Sequence, residues 1–298
     1  MHLYQAYGLV FKSALECPQL QKIHSESVED VEIIWDTVPE KLDQPEAEGS
    51  RYQVKANHFL LEVNQIAKYY VTEGNRIVIE KHPHATDDDV RLFLYSTPFG
   101  ILLQQRDILT LHASAVGYNG KGILFCGVSG CGKSTITYKM IEQGASLISD
   151  DIGAITHKNG KAVVHPGFPA IQLWADAVHL FKLDKDNLKQ TRTAIEKYYC
   201  PVHNKMCQEP VQIDKIYILA QYNEKEFKFE PVSGIEKFNA LKNQTFRLPI
   251  LKGQAKESTH FKLATPVAQQ CSISRVLVPK KQFQLDKLAE KILEDTAS

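Results

Sequence analysis

Eight consecutive residues, Gly127-Val128-Ser129-Gly130-Cys131-Gly132-Lys133-Ser134, fill the pattern G-x-x-x-x-G-K-[ST]. Glycine at 127, 130 and 132 lets the backbone adopt positive φ and approach a ligand closely, so that successive N–H groups can converge on phosphate oxygens. Lys133 brings a point charge to the terminal phosphates, and Ser134 brings a hydroxyl able to bind Mg²⁺. Ser129, Cys131 and Thr135 lie in or beside the same loop and are expected to complete the nucleotide contact. Further along, Asp150 and Asp151 form an adjacent acidic pair. Holding a divalent cation and accepting a proton from an attacking hydroxyl are two tasks that one carboxylate does not easily combine. Asp176, in LWADA, is either a third acid of that site or an ordinary acid in the first turn of a helix. His112, in LTLHASAV, is either a partner for phosphate or the metal shell, or a packed and satisfied imidazole.

These side chains can act together only if the chain carries them to one place. KGILFCG reads as a short buried strand feeding the glycines, and residues 133–143 read as a helix with Ile136 and Met140 on one face and Gly144 at C′. ASLIS is a second core strand, and its end delivers Asp150 and Asp151 to the place where crevices form in α/β proteins. DIGAITHKNGKAVVH predicts a hairpin about Asn159-Gly160. LWADAVHLF fits one or two helical turns, KIYILAQ and SRVLVP fit late strands, and QLDKLAEKILEDTAS fits a closing helix with Leu285, Leu288 and Ile292 on one face. The first third differs in character: YQAYGLVF, VEIIW, RYQVKANHFLLEV, YYVTEG and NRIVIE are strand-like runs, with a polar loop from Pro39 to Ser50. The change to alternating helix and strand signals places a boundary near residue 95. The expected organisation is a β-rich region over 1–95 and an α/β domain over 96–298.

The 298 residues, 43% hydrophobic and 23% charged, suffice for a substantial core without disulfide or metal staples. Lys plus Arg is 35 and Asp plus Glu is 35, so no basic excess advertises a nucleic acid as partner. No run approaches the roughly 20 apolar residues of a membrane span, and the first residues lack the basic and apolar regions of a signal peptide. The expectation is a cytoplasmic protein with neither nucleic acid nor membrane as partner and with its six cysteines reduced. Cys200, His203 and Cys207 do not complete a zinc site by spacing alone, and His82, His84 and Asp87 to Asp89 read as a polar linker. Cys131, at an x position of the loop, reads as a spacer rather than a nucleophile, and Trp35 and Trp174 read as packing anchors.

Over residues 112–151, the segments LHASAV, GILFCGVSGCGKSTITYKMIEQG and LISDD resemble the catalytic core of the HPr kinase/phosphorylase family. They are more similar still to the shorter HPr kinase-related proteins, some of which act in lasso-peptide maturation. His112 and Asp150 stand at the family's spacing from Lys133. The resemblance implies a P-loop kinase core of the HPr kinase/phosphoenolpyruvate carboxykinase type behind the β-rich region. It also implies transfer of the γ-phosphoryl group of ATP, with Mg²⁺, to a hydroxyl. A serine of a peptide or protein, a precursor peptide among the candidates, is the preferred acceptor. Carried over by resemblance, Lys133 and Ser134 take the nucleotide phosphates and Mg²⁺, Asp150 is the general base, Asp151 is a metal ligand, and His112 contacts the phosphates. The chain departs from the family in one respect. The family's signature of an apolar residue, Glu, Ile, Arg and Gly is absent, LWADA occupies its approximate place, and Asp176 stands where the carboxylate would be. HPr is therefore not the expected acceptor. A small-molecule kinase and a nucleotide-binding regulator without transfer activity are the competing readings, and a homo-oligomer is left open.

Overall fold

The computed structural model describes residues 1–24, 28–192, 195–280 and 284–297. The architecture is mixed α/β with extensive sheet. It divides into two units, residues 1–110 with 245–263, and residues 111–244 with 264–298. The expected boundary near residue 95 falls inside the first unit. The helix Thr97–Gln105 buries nearly its whole surface there, with Phe99 stacked on Phe11 at 4.9 Å between ring centroids.

In the first unit nine strands form one sheet, from Gln21–Lys22 at one edge to Ala47–Gly49 at the other. The alternating runs fold as hairpins: His2–Ala6 with Leu9–Ser13 about Tyr7 and Gly8, and Tyr52–Lys55 with His58–Val63 about Ala56 and Asn57. The acids Asp87 to Asp89 open the helix Asp87–Leu94, whose capping box joins Thr86 Oγ1 to the Asp89 amide at 3.2 Å and the Thr86 amide to Asp89 Oδ2 at 3.0 Å. The linker expected at these acids is thus a helix start, stabilised by negative charge at its N-terminus.

In the second unit the strand Lys121–Gly127 pairs antiparallel with Leu109–Tyr118 and parallel with Val211–Tyr222. Val211–Tyr222 also pairs parallel with Ser272–Pro279 and, at its start, antiparallel with Lys161–Val164. The path from Leu109–Tyr118 through Ile152–Lys158 and Lys161–Val164 therefore returns to Val211–Tyr222 and closes a circuit. The predicted hairpin is present, with Asn159 at φ 53° and Gly160 at φ 75°. A separate three-stranded antiparallel sheet sets Ile195–Pro201 between Ala170–Trp174 and Lys189–Arg192.

The helix Lys133–Glu142 buries Ile136, Met140 and Ile141 in a core shared with Phe125, Ile171 and Leu173. The closing helix Leu285–Ala297 adds Leu285, Leu288 and Ile292 to that core. All six cysteines are unpaired, five of them buried and Cys207 half-buried. No helix among the described residues is long and apolar enough to cross a membrane.

The Lys133–Glu142 helix ends as its sequence requires. Gly144 takes φ 99°, its amide donates to Ile141 O at 3.2 Å, and the Ala145 amide donates to Met140 O at 3.0 Å. A Cβ at Gly144 would meet nothing within 4 Å, so the cost of adding one is conformational rather than steric. Gly144→Ala is expected to destabilise the protein by about 1–2 kcal/mol, read from urea unfolding midpoints. An unchanged midpoint would contradict the left-handed C′ assignment.

Candidate active site

The strand Lys121–Gly127 is buried along Ile123, Leu124, Phe125 and Cys126 and delivers the chain to the glycine loop. Gly127 has φ 135°, and a Cβ there would lie 2.5 Å from Leu219 O and 2.7 Å from Cys131 Sγ, so glycine is required on two counts. Gly130 and Gly132 also have positive φ, at 82° and 102°, and Gly132 is the N-cap of the helix that follows. The first amides of that helix have no intrahelical acceptor. They belong to Lys133, Ser134 and Thr135, all of which line one cavity. The Lys133 side chain is buried, with Nζ donating to Gly127 O at 2.9 Å and to Val128 O at 3.2 Å.

Asp150 follows the strand Ser146–Ser149 and is 4% exposed. Its Oδ1 accepts from Ser114 Oγ at 2.5 Å and from Ser134 Oγ at 3.0 Å, and its Oδ2 accepts from the Gln172 amide at 2.9 Å. Asp151 occupies the turn beyond, at φ 70°. Its Oδ1 and its carbonyl oxygen each lie 3.2 Å from His112 Nδ1. His112 and Ser114 are alternate residues of Leu109–Tyr118, so the strand's period of two sends both to one face, toward Asp151 and Asp150 respectively.

The cavity brings together His112, Ser129, Gly130, Gly132, Lys133, Ser134, Thr135, Asp150, Asp151 and Asp176. Two of the expected nucleotide contacts lie outside its lining, Gly127 and Cys131. Cys131 is 1% exposed and packs beneath Gly127, and burial pushes its thiol pKa up. That environment suits the spacer reading. Asp176 sits in the first turn of Ala175–Leu180, with Oδ1 accepting from the Ala177 amide at 2.8 Å, while its residue also lines the cavity. Among the described residues no three His, Cys, Asp or Glu side chains form a metal cage.

The cavity also holds residues that carried no sequence signal: Ser114, Gln172, Trp174 and Lys197. Ser114 could have been found from its alternation with His112. Gln172 contributes a backbone amide, which no residue type announces. Trp174 is 43% exposed and Trp35 is 38% exposed, so neither is the packing anchor expected. At Trp174 the reason is strand alternation, since Ile171 and Leu173 take the inward positions.

Residues 105–172 match the family model of the HPr Serine kinase C-terminal domain. This segment is therefore similar to that domain. The HPr kinase/phosphorylase of Pelodictyon phaeoclathratiforme is 40% identical over 53 residues, which is 18% of this chain and 16% of that protein. The HPr kinase/phosphorylase of Treponema pallidum is 39% identical over 59 residues, 20% of this chain and 18% of the relative. The likeness is local, since the chain spans less than a fifth of the length of these relatives. A solved structure, the Hpr(Ser) kinase/phosphatase from Coxiella burnetii, aligns with 63% of this chain and 95% of its own at 13% identity and a TM-score of 0.33, too weak to define the fold. The matched segment contains His112, Ser114, the glycine loop and both aspartates and ends at Gln172, so Trp174, Asp176 and Lys197 lie beyond it.

Ser114→Ala removes a donor from a buried carboxylate. A hydrogen bond to a charged group contributes about 1.5–3 kcal/mol, and a loss of that size is expected in urea unfolding. A variant as stable as the parent would show that the Ser114 contact does not support Asp150.

Proposed function

We propose that this chain is an ATP- and Mg²⁺-dependent phosphotransferase whose acceptor is a hydroxyl, by preference a serine of a peptide or protein. The observation that carries the reading is one cavity in which the Ser134 hydroxyl touches Asp150 while His112 touches Asp151, beside a glycine loop with its lysine. The proposed core is of the P-loop type that the 105–172 match suggests. Loop amides and Lys133 stabilise charge on the phosphoryl oxygens, with Lys133 leaving the carbonyls of Gly127 and Val128 for phosphate.

The donors fit Mg²⁺, a hard cation that takes oxygen ligands and commonly binds one or two carboxylates together with substrate phosphates rather than an all-protein cage. Ser134 and Asp150 are the residues proposed to hold it, and when bound it would neutralise charge between the β- and γ-phosphates. The two aspartates then exchange the roles the resemblance gave them. Asp150 is buried and both its oxygens already accept hydrogen bonds, one of them from Ser134, which suits the metal side. The Asp151 side chain is 26% exposed and is oriented by His112, which suits contact with an incoming hydroxyl. In the proposed step the acceptor O–H proton passes to the Asp151 carboxylate, the acceptor oxygen bonds to the γ-phosphorus, and the bond to the β-bridging oxygen breaks to release ADP.

Lys133→Ala is expected to weaken ATP·Mg²⁺ binding by about tenfold or more in calorimetric titration, a loss of ~1.4 kcal/mol. Unchanged affinity would remove the loop assignment. Asp151→Asn is expected to bind ATP normally and lose roughly 10²–10⁴ in transfer rate, whereas Asp150→Asn is expected to shift the Mg²⁺ requirement upward. Both are read as ³²P transfer to serine peptides, with phosphate release measured in parallel. Full transfer by Asp151→Asn would return the base to Asp150.

A further inference from the structure

One wall of the cavity lies beyond the segment shared with the family. Ala170–Trp174 pairs antiparallel with Ile195–Pro201, and Trp174 stands directly opposite Lys197. Ile171 and Leu173, with Tyr198 and Cys200 across the ladder, turn into the core. Alternation then places Gln172, Trp174 and Lys197 on the other face, where all three line the cavity. Lys197 Nζ lies 5.9 Å from the centroid of the indole, at the outer reach of a cation–π contact. Among the described residues Lys197 forms no ion pair. Asp176 shares the wall, its Oδ1 accepting from the Ala177 amide.

The wall stands at the reacting end of the cavity. The Gln172 amide touches Asp150, and Trp174 is two residues further along the same strand face, about 7 Å at strand rise. A nucleobase lies beyond the ribose, on the far side of the phosphates from the group being transferred. The acceptor must arrive beside the acidic pair. A half-exposed indole and an ammonium without a carboxylate partner, side by side, recognise a group that is flat or apolar on one side and anionic on the other.

We infer that Trp174 and Lys197 form the acceptor subsite and select an acceptor that carries a carboxylate close to the hydroxyl that is phosphorylated. This rests on the phosphotransferase reading and goes further, because it names the chemical class of the acceptor. In a peptide, the carboxylate comes from an acidic neighbour of the serine or from the chain terminus.

Binding can be read without turnover. The chain has two tryptophans, so Trp35→Phe, in the other unit and outside the cavity lining, leaves Trp174 as the reporter. The probes are four serine peptides of equal length. Three are amidated and have Glu, Gln or Lys on both sides of the serine, and the fourth is the Gln peptide with a free terminal carboxylate. In the presence of ADP and Mg²⁺, the Glu peptide is expected to shift Trp174 emission and to bind at least about tenfold more tightly than the Lys peptide. Tighter binding by the free-acid Gln peptide than by the amidated Glu peptide would assign recognition to the chain terminus, and equal binding would show that either carboxylate serves. Lys197→Glu should abolish or reverse the preference without changing ATP affinity. Read by calorimetric titration, since these variants lack the reporter, Trp174→Phe should retain peptide binding that Trp174→Ala loses. Equal binding of all four peptides, or no emission change with any peptide, would overturn the inference. So would weakened ATP binding in Trp174→Ala with inorganic triphosphate binding unaffected, which would make the indole a nucleobase platform. Failure of the parent reading is seen separately, as unchanged ATP affinity in Lys133→Ala.

Discussion

A buried carboxylate persists only where donors meet it, and Asp150 draws its donors from three parts of the second unit. Ser114 comes from the Leu109–Tyr118 strand, Ser134 from the first turn of the helix after the glycine loop, and the Gln172 amide from the edge of the small sheet. Removing an unpaired charge from water costs several kcal/mol. Each of these elements therefore has to arrive for the others to be stable where they are. The same contacts fix the loop relative to the acidic turn, so the geometry on which the proposed chemistry depends is also a condition of folding this region.

The loop and the acidic turn use backbone conformation to the same end. Gly127 cannot carry a side chain because Leu219 of the neighbouring parallel strand and Cys131 fill the space where Cβ would be. The left-handed turn at Asp151 parts the two carboxylates: Asp150 points into the protein toward serines, while Asp151 meets His112. An aspartate tolerates such a φ better than a β-branched or bulky residue. Adjacent acids in one extended strand would also face opposite ways, but the turn keeps both of them on the lining of one cavity.

How much of this was legible in the sequence follows from the range of each interaction. The strand KGILFCG, the helix with Ile136 and Met140 inward and Gly144 at its end, and the Asn159-Gly160 hairpin are local patterns, and each stands where the spacing predicts. The hydrogen bonds of Asp150 span long sequence separations and one of them uses a backbone amide, so the different surroundings of the two acids were not readable. The helices Ile235–Asn243, Leu248–Gly253 and Glu257–Gln270 were missed because their apolar residues are sparse or interrupted, with Pro249 near the start of the second and Pro266 within the third. The return of residues 245–263 to the first unit is a tertiary choice with no local mark: Gly100 is packed against the Phe246 ring, and Gly253 against Val54.

The two halves of the cavity differ in legibility for a chemical reason. A phosphate chain presents the same oxygens and charge to every protein that binds it, so glycine, lysine and serine recur at fixed spacing and the match to known relatives covers that part. An acceptor varies, and the residues that meet it have no common pattern to obey. Trp174 and Lys197 illustrate this: their places on the cavity wall come from strand alternation and from a register that sets them opposite each other, both invisible until Ala170–Trp174 and Ile195–Pro201 pair. LWADA begins where the match to known relatives ends, and it forms part of the wall beside Asp150. On the proposed reading, a fixed phosphoryl donor and a variable acceptor would demand that division between matched and unmatched residues.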